Sequence, residues 1–423
     1  MPSADVSRDR RGVPGWPMRA ALALSSGIVW LARLGTGFGG RVSPTARRIL
    51  VYRTGRLGDF IAVLPTLELV RRTWPDAHVT LLTTTSSQAV QRAAATHASA
   101  GGRGDEFPWL ALVPRGLVDR TVTFDLSDVG DAVMAIRRAL PPARYDAVIL
   151  ASFTGEGAPN KLRKLGFLRA AGIRGPMLGW EVRSDLRLGR ARLHANGAWI
   201  HQVRAAADGV IGWQARRGHE VDDGALVLRV EGAAADRIPA DVARWLDEGP
   251  VIALFPGGTF AHKRWPASRF VTLARHVSRE RPGVRFLLVG SDFDAPQSAV
   301  LRAALGDDAL DATGRLGLPE LAAVLSRCTA FVGNDSGPCH IASAAGCPTV
   351  AIFSGIEFPG VWEPWNDRHR AVRHRTPCEG CGGATACPLG HARCVTELDV
   401  AVVLRAVRRA LDDAQKPAND ART

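Results

Sequence analysis

At 423 residues the chain is long enough for two core-bearing domains of roughly 150 residues or more each. Its 46% apolar content, with 44 glycines and few aromatics, suits a soluble α/β protein better than a disordered or fibrous one. The formal charge of +13 is carried almost wholly by arginine, since lysine occurs only at Lys161, Lys164, Lys263 and Lys416.

That charge reads either as a compositional bias or as attraction to an anionic partner such as a phospholipid surface or a phosphorylated substrate. The basic residues are dispersed, without aromatic interleaving or helix-turn-helix or zinc-finger spacing, which speaks against nucleic acid. Seven cysteines do not describe a secreted disulfide scaffold, so a reducing cytoplasm is the simpler assumption.

In chain order, residues 1–46 form an N-terminal extension with an apolar run from Ala20 to Ala32. About 13 residues fall short of the ~20 needed to cross a bilayer, so a helix in the membrane interface, or packed on the protein, is expected. From Arg48 the pattern is regular. "RILVYR" (48–53) predicts a strand, "TGRLGD" (54–59) a glycine loop, 60–74 a helix and "HVTLLTT" (78–84) a second strand. This βαβ unit implies a parallel sheet. Further strands are predicted at 121–126 and 145–152. Residues 185–250 are polar and weakly periodic, which places a domain junction near 215–250.

A second series follows, with strands at 251–258, 285–291, 309–314, 330–334 and 349–355. Helices are predicted between them at 267–280, 296–305, 318–327 and 338–345, and another at 398–412. The expected architecture is therefore α/β, with two Rossmann-like domains facing across a cleft. Ligands of such sheets bind at the carboxyl ends of the strands.

Three loops carry candidate chemistry. In "RTGRLGDF" two glycines permit tight turns, while the spacing fits neither G-x-G-x-x-G nor a Walker loop. Asp59 reads there as a helix N-cap or as a general base. "FPGGTFAHKRWP" (255–266) reads as a loop that cradles a diphosphate or as a solvated basic turn. "VGNDSGPCHIASAAGCP" (332–348) is a buried strand, a turn and a helix whose first turn accepts Pro338. Free N–H groups in that turn favour an anion, with His340 reaching back toward it. Cys339 and His340 are adjacent on a helix, so they cannot form a nucleophile–base pair. Finally, Cys378, Cys381, Cys387 and Cys394 open with C-x-x-C, a spacing that suits zinc, the alternative being reduced cysteines that pack a loop.

Together these segments resemble glycosyltransferase family 9, the heptosyltransferases of the bacterial lipopolysaccharide inner core. The resemblance rests on residues 49–83, on "ALFPGGTFAHKRWP", on residues 311–353 and on the cysteine segment, and it covers roughly residues 47–410. It implies a GT-B type fold, with an acceptor domain over 47–230, a nucleotide-sugar domain over 231–412 and a polar tail at 413–423. It implies an inverting, metal-independent transfer of a sugar, heptose from ADP-heptose, to a lipopolysaccharide-core or related lipid-linked glycan, with no cofactor beyond the donor. By the same resemblance Asp59 is the catalytic base, with Arg56 and Gly58 on the acceptor-side loop. Gly258, Thr259 and Lys263 bind the diphosphate; Asp335, Ser336, Gly337 and His340 form the D-[ST]-G-x-x-H turn that holds the donor. Asp292 and Leu316 match positions near the nucleoside. The expected enzyme is a monomer at the cytoplasmic face of the inner membrane. The alternatives are an inactive nucleotide-sugar or glycan-binding protein of this fold, and a transferase using another nucleotide-sugar.

Overall fold

The computed structural model describes residues 32, 34–35, 37–55, 57–84, 109–140, 142–151, 158–179, 202–219, 234–365, 368–383 and 386–414. The apolar run at 20–32 lies almost wholly outside these, as do Arg56 and most of the expected tail. Among the described residues no helix is long and apolar enough to cross a membrane.

The chain divides into two compact units. The first contains a five-stranded sheet of β1 (Arg48–Arg53), β2 (His78–Thr84), β3 (Arg120–Phe124), β5 (Ala147–Leu150) and β7 (Met177–Leu178). The intervening β4 (Ala143–Arg144) and β6 (Ile173–Arg174) pair only with each other. The five strands are parallel in the order β3-β2-β1-β5-β7, so the order reverses between β1 and β5. Five of the six β1 residues are buried, as befits a strand covered on both faces. Leu50, Tyr52, Leu82, Phe124, Val148 and Leu150 share one core with helices 129–139 and 158–170.

The single helix expected at 60–74 is two, Leu57–Ile61 and Leu64–Thr73, because Pro65 falls inside the run and is accepted only in a helical first turn. Phe358–Trp362 also belongs to this first unit, and the N–H of Gln202 donates to the carbonyl of Val361 at 2.9 Å.

The second unit holds β8 (Val251–Phe255), β9 (Arg285–Leu288), β10 (Ala309–Asp311), β11 (Ala330–Asn334), β12 (Thr349–Phe353) and β13 (His369–Arg373). All six are parallel in the order β10-β9-β8-β11-β12-β13. This is the doubly wound order of a nucleotide-binding sheet, with its reversal between β8 and β11. Helices Ala267–Glu280 and Val400–Ala414 bury one face each against Ile252, Leu254, Phe286, Val332 and Ile352. Trp265 anchors the layer: it is fully buried, meets Phe270 edge-on at 4.9 Å and donates its indole N–H to the carbonyl of Leu398 at 2.9 Å.

Candidate active site

In the second unit the candidate residues converge on the carboxyl ends of the strands that flank the reversal. Lys263 follows β8 and Asp335 follows β11, and their side chains form an ion pair of 2.5 Å, Nζ to Oδ2. Two predicted loops are thus one constellation. Asn334, the last residue of β11, fastens them together: its Nδ2 donates to the carbonyls of Pro256 at 2.9 Å and Gly257 at 2.8 Å, and its Oδ1 accepts the N–H of Trp265 at 3.0 Å. Sequence reasoning passed over Asn334. The signal was present, because a short amide side chain is unusual inside an otherwise apolar buried strand.

Asp294 is a second unforeseen anchor. It is 5% exposed and accepts three bonds, from the N–H of Gly258 at 2.8 Å and from the N–H and hydroxyl of Ser291 at 2.9 and 2.8 Å. Gly257 makes room for it, since a Cβ there would stand 2.1 Å from Asp294 Oδ1. Gly258 carries a φ of +136° that suits glycine. Its carbonyl accepts Arg264 Nε at 2.6 Å. Both backbone polar groups of Gly258 are therefore engaged inside the protein. Its part in the loop is to turn the chain so that Thr259, which is exposed, stands forward.

Ser336 precedes the helix Gly337–Ala344 in an extended conformation, and its hydroxyl makes no capping bond to that helix. Pro338 occupies the first turn, as expected. The open N-terminus of the helix points its partial positive charge at the same loop as Lys263. His340 and Cys339 are buried in the helix. Burial pushes the Cys339 thiol well above its ordinary value, and the Asp335 carboxylate adds to the effect, so Cys339 is no nucleophile. Asp292 is exposed on the turn after β9 with its carboxylate against Gly314, while Leu316, two residues further along, is buried. The N–H of Gly314 donates to the carbonyl of Gly290 at 2.9 Å, which ties the turn after β9 to the loop after β10.

Asp59 belongs to the first unit. It is the third residue of the helix Leu57–Ile61, inside the first turn, and so is not the N-cap that its spacing also allowed. Its Oδ1 is 3.3 Å from Nη2 of Arg53. The carboxylate lies over Gly55, whose φ is +151° and where a Cβ would come within 2.6 Å of Asp59 Oδ2. Gly58 lies beside Asp59 in the same short helix.

The four cysteines of the C-terminal segment are free, with Cys394 buried and Cys378, Cys381 and Cys387 half-buried. Among the described residues no group of three or more His, Cys, Asp or Glu side chains is placed to hold a metal ion.

Two Rossmann-like units, each with its polar residues at the strand carboxyl ends, make this a GT-B type protein. Residues 219–390 match the family described as glycosyltransferase family 9 (heptosyltransferase). Among curated proteins, "Lipooligosaccharide heptosyltransferase 2" of Haemophilus influenzae is 33% identical over 133 residues, 30% of this chain and 38% of that one. The protein of the same name from Campylobacter jejuni serotype O:6 is 28% identical over 166 residues, 38% of this chain and 51% of its own. The matched stretch thus spans about two fifths to a half of these relatives. The fold likeness is wider. A family 9 glycosyl transferase from Veillonella parvula superposes with a TM-score of 0.63 at 18% identity, covering 88% of this chain and all of that one. E. coli ADP-heptose lps heptosyltransferase II gives 0.57 at 19%, covering 87% and 100%.

Proposed function

We propose that this chain is an inverting glycosyltransferase that moves heptose from ADP-heptose to a lipopolysaccharide-core or related lipid-linked glycan. The observation that carries the reading is the Lys263–Asp335 pair at the reversal point of the second sheet, inside the stretch that matches the family 9 model. A structure of E. coli heptosyltransferase WaaC with ADP, similar in fold at a TM-score of 0.53, 17% identity and coverage of 87% and 99%, suggests the nucleotide.

The chemistry follows from the residues. Asp59 takes the proton of the acceptor hydroxyl as that oxygen forms its bond to the anomeric carbon from the face opposite the leaving group. The anomeric C–O bond to the diphosphate breaks, and ADP departs with the electron pair. Charge then develops on the diphosphate, where the Lys263 ammonium and the N-terminus at Gly337 offer fixed positive potential. Thr259 and Ser336 supply hydroxyl donors, and Asp292 and Leu316 face the nucleoside. A carboxylate beside a diphosphate is repulsive, so Asp335 serves by holding Lys263 in place and by accepting hydroxyls of the sugar. His340 braces the donor turn, and Arg56 and Gly58 shape the acceptor side. The excess of arginine draws the enzyme, acting as a monomer, to the anionic acceptor and to the membrane face that bears it.

The test is direct. Thermal shift across a panel of nucleotide-sugars should single out ADP-heptose, since a bound donor stabilises the folded state. Transfer from ADP-heptose to truncated lipopolysaccharide cores should then be lost in Asp59→Ala with donor binding retained. Stabilisation by UDP-sugars alone would overturn the donor; full turnover by Asp59→Ala would overturn the base.

A further inference from the structure

We propose that Arg53 is a positioning residue of the transfer reaction, acting through Asp59; the inference rests on the reading of Asp59 as the base. Arg53 is the last residue of β1 and only 4% exposed, at the end of a strand otherwise filled by Ile49, Leu50, Val51 and Tyr52. A guanidinium in such surroundings is costly to desolvate and is retained where its donors are spent on fixed partners. The structure shows where two of them go. Nη1 donates to the carbonyl of Ala151 at 3.2 Å, and Nη2 meets Asp59 Oδ1 at 3.3 Å.

Ala151 directly follows β5, and β1 and β5 are the two strands between which the order of the first sheet reverses. The guanidinium therefore spans the reversal point, the place where an α/β sheet presents its ligand site. In the second unit the Lys263–Asp335 pair occupies the equivalent position. Pinning two strand ends would need only the bond to Ala151. The other arm of the fork is aimed at the one carboxylate of this loop to which chemistry is assigned. Gly55 completes the arrangement, because any side chain there would displace the carboxylate. Arg53 thus commits one oxygen of Asp59 and fixes the rotation of its carboxylate. Lysine would keep the charge but cannot fork between both acceptors.

The experiment compares Arg53→Met, Arg53→Lys and Asp59→Ala with ADP-heptose as donor and truncated lipopolysaccharide cores as acceptors. A misplaced base lowers the chemical step, so Arg53→Met should reduce kcat by roughly tenfold to hundredfold. Its KM for ADP-heptose should stay within about twofold, because the donor is held by the other unit. Arg53→Lys should recover part of kcat. A kcat for Arg53→Met within about threefold of the parent, in a series where Asp59→Ala is inactive, overturns the positioning role and leaves the base assignment standing. So does a loss confined to donor KM. If Arg53→Met does not fold, Arg53→Lys decides: a lowered kcat at unchanged donor KM supports the role, and a parental kcat overturns it. Parental turnover by Asp59→Ala overturns the base itself, and this inference with it.

Discussion

Asn334 and Trp265 are joined across the reversal point of the second sheet by a 3.0 Å bond from the tryptophan N–H to the carboxamide oxygen. The same amide satisfies two carbonyls of the loop after β8, and Asn334 is 1% exposed, so no water can take its place. Asn334→Ala would orphan one N–H and two carbonyls together. Leaving buried polar groups unpaired costs about 1–3 kcal/mol each where relaxation does not relieve it. We expect a fall of at least about 2 kcal/mol in unfolding free energy by that reckoning, together with weakened ADP binding. Denaturant titration and calorimetry check both. Asn334→Asp should fare no better, since it sets a carboxylate against the carbonyls of Pro256 and Gly257. Parental stability in both variants would show that the loop does not depend on this side chain.

Gly257 tests the second anchor. An added methyl would stand 2.1 Å from Asp294 Oδ1 and 2.4 Å from its carboxyl carbon, closer than any real contact. Asp294 must shift, and its bond to the N–H of Gly258 goes with it. Overpacking of this kind costs about 1–3 kcal/mol. The distinguishing consequence is functional: on the proposed donor role, Gly257→Ala should weaken ADP binding roughly tenfold, as the loop after β8 loses its shape. Unchanged ADP affinity by calorimetry would show that this segment lies away from the donor.

Much of this was legible in the sequence because the strands are buried on both faces and so read as unbroken apolar runs. β1, β2 and β11 fall where the residues predict, and the helices 267–280 and 318–327 match at both ends. β13 was not legible. Its residues, His369–Arg373, include two arginines and only one buried position, as an edge strand allows, so no apolar run announces it. The three loops were legible as loops. What joins them was not, because the Lys263–Asp335 pair and the bonds of Asn334 and Asp294 link residues far apart in sequence, and periodicity carries no information about such contacts. Arg53 shows the same limit: within "RILVYR" it reads as the polar end of a strand, and only the fold brings it to Asp59.

The ion pair separates two roles that sequence assigns together. On the proposed donor role, Lys263→Ala removes the cation that would offset the diphosphate charge and should weaken ADP binding about tenfold or more, a loss of roughly 1.4 kcal/mol or above. Asp335→Asn removes a negative charge from the same place, so ADP should bind at least as tightly as to the parent while sugar transfer falls. Calorimetric titration with ADP, beside steady-state transfer, distinguishes them. Equal losses of ADP affinity in both variants would mean that Asp335 matters to nucleotide binding chiefly by orienting the lysine.

The cysteines differ in reactivity for physical reasons. At Cys387 the backbone N–H of Ala392, joined by those of Leu389, His391 and Gly390, stabilises the thiolate and holds the thiol below its ordinary value. At Cys328 burial pushes the thiol up to about 12, and burial likewise raises Cys347 and Cys339 well above the usual range. Alkylation proceeds through the thiolate. A depressed value enlarges the thiolate fraction at neutral pH, whereas a raised one removes it. Iodoacetamide at pH 7 should therefore modify Cys387 first, with Cys394 slower because burial raises its thiol. Cys328, Cys339 and Cys347 should react only after unfolding. Peptide mass mapping against time reads the order, and a buried cysteine labelled ahead of Cys387 in the folded protein would contradict it.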